Sequence, residues 1–395
     1  MAKHSARVSS VVSLLLVIST CAVAQNATGR PARKAGSLPQ SLAKKIDAVI
    51  EEQRAKLGIP GISVAVATDG HLSYSKGFGM ADLENSVRTG VNTVYRTASI
   101  AKPLTATAVM QLAEQGKLDL DAPIQKYCPA FPEKQWPVTA RQLLGHLGGV
   151  RHYKASGESN GTTYYYTIED SLRIFKDEPL LHEPGTKFNY TTYGYSVLGC
   201  AIEGASGARY EDYMREHVFG AAKMERTRID NHRFIIPDRT RGYMRLDQTT
   251  HALLPAFLKA QVKVGQIFNA PLHDTSMKVP GGGLVSTAPD LVSFGLSMMN
   301  GLLVKPSTRD QMWTAQKLRD GSPTSYGLGW GVGEVPGMKG VALYSHSGGQ
   351  AGTSTMLYLI PGKNLVIAGM CNLQGADVGR VLNEIGKLLL AESKP

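Results

Sequence analysis

The chain has 395 residues, 43% of them hydrophobic and 19% charged, with a formal net charge of +11. That is the balance of an ordinary soluble globular protein, long enough to bury a sizeable core in one large domain or two smaller ones. Its lysines and arginines are scattered and no basic run is interleaved with aromatics, so the charge does not point to nucleic acid; it suits an exported protein close to an anionic envelope or one that attracts acidic ligands.

At the start, Lys3 and Arg7, the apolar run from Val11 to Ile18 and the small residues Ala22-Val23-Ala24 have the three regions of a secretory signal peptide. Residues 1–24 are expected to be removed after Ala24, which sends the protein to the periplasm or outside the cell. The apolar run is too short for a lasting span, and no later stretch approaches the ~20 apolar residues a span needs, so no integral membrane segment is expected after processing. Cys21, after Ile18-Ser19-Thr20, makes a degenerate lipidation site, the weaker reading of the leader.

Residues 25–39 are polar and read as a flexible linker, and the folded domain is expected over 40–392. Within it, Leu42 to Leu57 has helical periodicity, followed by strands from Gly61 to Thr68 and His71 to Gly77 joined by Asp69-Gly70, a tight-hairpin dipeptide. A helix from about Ser99 to Gly116 tolerates Pro103 in its first turn. From about 118 to 280 the pattern turns to helices (Thr139 to Leu144, Ile168 to Phe175, Tyr193 to Gly204, Tyr210 to Val218) and long loops, as in a helical insertion. Ser286-Thr287 announces a helix from Pro289 to Met299. Strands are expected from Leu328 to Val332, Ala342 to Ser345, Ser354 to Ile360 and Leu365 to Met370, and an amphipathic helix from Val378 to Leu390 closes the chain. The expected fold is α+β, an antiparallel sheet flanked by terminal helices with a helical subdomain inserted. Cys128, Cys200 and Cys371 lie at long spacings with no metal pattern; they allow one disulfide, but buried thiols are the expectation.

Ser99-Ile100-Ala101-Lys102 carries the chemistry. On a helix this spacing stacks serine and lysine on one face, and a desolvated lysine can become the base that a weakly nucleophilic serine needs. Two later segments offer partners: Pro184 to Tyr195, containing Tyr190 and Thr192, and Ser345-His346-Ser347-Gly348-Gly349, which opens or ends a strand. A phenol of pKa ~10 needs help to ionise; one cation ~4 Å away at an effective dielectric of ~20 offers roughly 4 kcal/mol, so Lys102 plus a charged His346 would suffice for Tyr190. His146 and His152 are read as holding a loop by hydrogen bonds, and without a carboxylate at ligand spacing they make no zinc site. Gly281-Gly282-Gly283 lacks the Gly-Lys-Ser/Thr ending of a phosphate loop, and no G-x-S-x-G is present, so neither a nucleotide nor any other cofactor is expected.

In this order the three segments resemble the serine β-lactamase and penicillin-binding protein superfamily, on the class C and DD-peptidase side, over roughly Ile46 to Leu390. The resemblance implies a β-lactamase/transpeptidase-like fold and an acyl-enzyme mechanism. Ser99 would be the nucleophile, Lys102 and Tyr190 the proton carriers, and the amides of Ser99 and Gly349 the oxyanion donors, with Thr192, Ser347 and Gly348 beside the substrate. Thr192 stands where many members have asparagine, and His346 stands where the lysine of K-T-G would be. Both changes weaken the case for antibiotic hydrolysis and look more like the mitochondrial β-lactamase-like serine protease family, which the segment Leu143 to Tyr153 also resembles. The implied partners are peptides or cell-wall stems first, then β-lactams, then esters. A penicillin-recognising protein without turnover is the non-enzymatic alternative.

Overall fold

A computed structural model describes residues 36–154 and 156–392. The expected leader, Cys21 and most of the expected linker lie outside the described residues.

Alternation along the first strand sets up the two layers. In Gly61–Thr68 (β1), Ile62, Val64 and Val66 belong to one buried apolar cluster and Ala65 and Ala67 to the other, so consecutive side chains serve opposite faces of one sheet. β1 turns at Asp69 (φ 52°) and Gly70 (φ 78°), both left-handed as a two-residue hairpin requires, into His71–Asp82 (β2). Val87–Arg88 (β3), Gly331–Glu334 (β4), Ala342–Gln350 (β5), Thr353–Ile360 (β6) and Leu365–Cys371 (β7) complete an antiparallel sheet in the order β3-β2-β1-β7-β6-β5-β4.

Helices Gln40–Leu57 (α1) and Val378–Glu392 (α5) cover one face, α1 through Leu42, Ile46 and Ile50 and α5 through Val381, Leu382 and Ile385. Each such side chain, fully buried, contributes ~1.5–3 kcal/mol. Ala101–Glu114 (α2), Tyr193–Ser206 (α3) and Ala288–Met299 (α4) bury their apolar residues in the second cluster with the other face. α4 begins where Ser286-Thr287 predicts: the Thr287 hydroxyl accepts from the Asp290 amide at 3.2 Å.

Between Leu118 and Pro280 the chain forms the helices Ala140–Leu144, Ile168–Leu172, α3 and Tyr210–Tyr213, the last continuing in wider π turns through Gly220. In and around this region lie short strands that the apolar pattern does not show. Arg228–Ile229 and Tyr95–Arg96 flank Leu284–Ser286, and Tyr243–Arg245 pairs with Ile267–Asn269.

Three expectations are corrected. The strand expected from Leu328 to Val332 starts only at Gly331, because Gly329 turns the chain at φ 88°. β5 does not stop at Ser345; it runs to Gln350, paired with β6 through its whole second half. Cys128 and Cys200 are not thiols but a disulfide, with Cα atoms 5.3 Å apart, while Cys371 is a buried free thiol. The pair is hidden by a sequence separation of 72 and made by packing: Gly204 on α3 lies so close to the Tyr127 carbonyl that a Cβ there would overlap it, which brings α3 against the segment ending in Cys128.

Gly348 has a comparable role on β5. A Cβ there would overlap the Thr355 hydroxyl and the Thr97 carbonyl and stand 3.2 Å from the Ala98 Cβ, so glycine lets the strand press onto the turn Ala98–Ile100. Gly348→Ala is expected to cost about 1–3 kcal/mol of stability, read from denaturant midpoints; an unchanged midpoint would show that the turn yields freely. Reduction of the disulfide should cost roughly 2–4 kcal/mol, given the loop it closes, and equal midpoints with and without reductant would contradict this.

Candidate active site

Ser99 lies in the turn Ala98–Ile100 and Lys102 in the first turn of α2. Ala98 adopts φ 47°, an unfavourable conformation for a residue with a Cβ. The preceding Thr97 holds the turn in place: its amide and hydroxyl both donate to the Leu284 carbonyl, at 2.9 and 3.1 Å, and its carbonyl accepts from the Thr355 hydroxyl at 2.9 Å. Ser99 keeps some exposure, whereas Lys102 is 0% exposed.

The surroundings of Lys102 Nζ are three neutral oxygens: Ser99 Oγ at 3.0 Å, Thr192 Oγ1 at 3.2 Å and the Gly281 carbonyl at 2.7 Å. With no carboxylate to offset desolvation, burial holds its pKa well below the usual lysine range, and the charge of Lys278 pushes the same way.

Tyr190 and Thr192 sit in the loop entering α3, and two histidines brace it. His146 Nδ1 accepts from the Thr191 amide and His152 Nδ1 from the Thr192 amide, each at 3.2 Å. The loop-holding role read from the sequence is thus what the hydrogen bonds show. These bonds place the remaining proton of each neutral ring on Nε2. Burial, then the Lys102 charge, lowers both histidines, His152 to about 4 and His146 well below its ordinary value.

Tyr190 packs its ring 4.8 Å from Lys102 Nζ and 4.3 Å from the His146 ring. Burial raises its pKa, a hydrogen bond with Ser99 opposing this. The expected phenolate, stabilised by Lys102 and a charged His346, is therefore reversed. His346 is 6% exposed; its Nδ1 donates to the Ser347 carbonyl at 2.7 Å, leaving Nε2 to accept from the Tyr326 hydroxyl at 2.8 Å. Burial first, then Lys102, lowers it to about 3, so the ring is neutral and both its nitrogens are occupied.

The structure brings Ser99, Lys102, Tyr190 and Thr192 into one constellation. Gly348 closes β5 against the Ser99 turn, and beside it Ser347 is exposed and Gly349 faces open space in its Cβ direction. β4 pairs only with Ala342 to Ser345, so among the described residues the outer edge of His346 to Gln350 meets no strand. Sequence reasoning missed Tyr326, whose bond to His346 has no local signature. It also missed Tyr153, which hydrogen-bonds Thr192, and Lys278. The glycine run at Gly281 was noticed without its function of accepting from Lys102. Among the described residues no group of three or more His, Cys, Asp or Glu is placed to hold a metal ion.

Three comparisons place this geometry. A mitochondrial serine beta-lactamase-like protein, LACTB, of Homo sapiens is 30% identical over 427 aligned positions, covering 82% of this chain and 75% of that one. The octameric penicillin-binding protein homologue from Pyrococcus abyssi superposes with a TM-score of 0.72 at 26% identity, over 88% of this chain and 77% of the other. A D-amino acid amidase from Ochrobactrum anthropi SV3, at 21% identity and a TM-score of 0.73 over 90% of this chain and 100% of its own, shares the fold. The Beta-lactamase family profile matches residues 46–392, nearly all of the described chain, and the chain belongs to that family of serine hydrolases.

Proposed function

We propose that the chain is an exported serine hydrolase that cleaves amide bonds of peptides or cell-wall stems through an acyl-enzyme. The observation that carries this is the environment of Lys102. A free amine has two N–H donors and one lone pair; with the Gly281 carbonyl and Thr192 Oγ1 taking the two donors, the lone pair is left for the Ser99 hydroxyl proton.

Ser99 Oγ then attacks the substrate carbonyl carbon as its proton passes to Lys102. The oxyanion is taken up by the amides of Ser99 and Gly349. Tyr190, a protonated phenol hydrogen-bonded to Ser99, gives its proton to the departing amine and recovers one from Lys102. Water releases the acid by the reverse route. His346 is neutral and committed to Tyr326 and Ser347, and Thr192 is committed to Lys102, so neither supplies the fixed cation or the side-chain amide that efficient β-lactam hydrolysis would use. Export is supported by the leader-like N-terminus and by the Cys128–Cys200 disulfide, a bond that persists in oxidising compartments.

Intact mass after mixing with a fluorophosphonate, a fluorescent penicillin, a peptide amide and a short ester should show a transient adduct that Ser99→Ala abolishes; a labelled Ser99→Ala protein would sink the assignment. Ester turnover with no peptide cleavage would move the protein to the carboxylesterases. Lys102→Ala should slow acylation by about 10²–10⁴-fold, the usual contribution of a positioned base.

Acylation should rise with pH through one ionisation, because the base works only once Lys102 has lost its proton. His346, lowered to about 3, and Tyr190, raised, stay neutral from pH 5 to 9. Rate profiles for wild type and His346→Gln check this: a limb near pH 6.5 that vanishes in the variant would assign the ionisation to His346 instead.

A further inference from the structure

Lys278 is a second lysine buried beside the site, 3% exposed, and the mechanism above does not use it. Its Nζ donates to a neutral partner, the Ser159 carbonyl, at 3.0 Å. Asp230 and Asp274, the carboxylates that favour its charge, are engaged by Arg96 and Arg239 and by His232, respectively. A buried ammonium without its own counter-ion is a poor source of stability, so its placement asks for another explanation.

That placement adjoins the turn that serves Lys102. Lys278 immediately precedes the turn Val279–Gly282, whose Gly281 carbonyl accepts from Lys102 Nζ and whose Pro280 carbonyl accepts from Thr105 on α2 at 2.6 Å. Its Nζ lies 5.7 Å from the centre of the Tyr153 ring, and Tyr153 hydrogen-bonds Thr192, which in turn accepts from Lys102. The Gly281 turn on one side and Tyr153 with Thr192 on the other thus link the surroundings of two buried lysines, and a low-dielectric surrounding resists charging both.

We propose that Lys278 is a positioning residue for Lys102: its ammonium, next to the turn that carries Gly281 and 5.7 Å from the centre of the Tyr153 ring, adds to burial in favouring the free amine that takes the Ser99 proton. The inference rests on the acyl-enzyme reading. The groups facing Lys102 are His146, His152, Tyr190, Tyr195, His346 and Lys278. The histidines are neutral and the phenols protonated, so Lys278 is the cation that acts on it. Around Lys278 stand Arg96, Asp230, Asp274, His152 and His273, in which the cation and the two carboxylates oppose one another. Burial brings Lys278 down to about 8, so it carries its charge at pH 7 and below.

Removing the Lys278 charge makes protonated Lys102 less costly, so the pH at which the base becomes active moves up. In Lys278→Met the acid limb of fluorophosphonate acylation should shift upward by about one pH unit, a tenfold higher proton affinity, whereas Lys278→Arg should leave it in place. In parallel, the ¹³Cε resonance of Lys102, assigned by its loss in Lys102→Ala, should titrate at a correspondingly higher pH in Lys278→Met. A Lys102 titration that does not move, whatever the acylation rate, would overturn the inference, as would an equal shift in Lys278→Arg. A fall in rate at every pH with the limb unmoved counts against it in the same way. Lys278→Gln carries the comparison if Lys278→Met fails to fold. An unlabelled wild-type protein would refute the acyl-enzyme reading, and the resonance titration would still decide the influence of Lys278.

Discussion

The whole site depends on keeping one amine in a place where its charge is not wanted. Lys102 is fully buried among the oxygens of Ser99, Thr192 and Gly281, none of them ionised. Moving a full ammonium there costs several kcal/mol after relaxation, and no carboxylate returns that energy. The amine gains where the ammonium loses, since two donors and one lone pair match two acceptors and one hydroxyl. A buried lysine surrounded by neutral oxygens is thus a base by construction, and the surrounding architecture serves to assemble those oxygens. They come from α2 and its preceding turn, from the start of α3 and from the turn before Leu284, so the site exists only where the sheet layer and the mostly helical region meet.

The same electrostatic economy extends outward. His146, His152 and His346 are all held neutral chiefly by burial, and each Nδ1 is spent on a backbone group: the Thr191 amide, the Thr192 amide and the Ser347 carbonyl. Their value is geometric. They fix the loop that presents Tyr190 and the strand that presents Gly349 without adding charge to a pocket that already has to exclude it. A fixed lysine in place of His346 would place a cation against Lys102 from the β5 side and offer a partner to a substrate carboxylate. Histidine in that position gives up such recognition and adds no second cation to the pocket.

What the sequence revealed follows from range. Ser99 and Lys102 were legible because their contact is made within one helical turn, and β1, β2 and α4 because Asp69-Gly70 and Thr287 carry their own local signals. The acceptors of Lys102 lie 90 and 179 residues away, and the His346–Tyr326 bond joins residues 20 apart with β4 between them and no motif to mark it. Those contacts become visible only when the chain has folded. How firmly His346 is held neutral is hidden in the sequence for the same reason, since a reference pKa describes a solvated ring and this one is buried. The second half of β5 was missed because Gly348 and Gly349 read as a strand end, whereas packing onto the Ser99 turn is what requires a glycine there.

α3 shows how stability and chemistry are joined in this molecule. Its N-terminus supplies Thr192 to Lys102, its middle carries Cys200 in the disulfide, and Gly199 and Gly204 let it touch Pro280 and the Tyr127 carbonyl where any side chain would overlap. Pro280 belongs to the turn whose next residue, Gly281, gives Lys102 its shortest hydrogen bond. Two of the three oxygens around the base are therefore positioned by one helix, directly through Thr192 and indirectly through the turn packed on Gly199. The disulfide limits how far that helix can drift from the segment ending at Cys128. A shift of even 1 Å along α3 would lengthen the Thr192 contact and loosen the turn that carries Gly281, readmitting water to the amine. Solvation would then raise the proton affinity of Lys102, so loss of packing here would appear first as loss of the base and only later as loss of the fold.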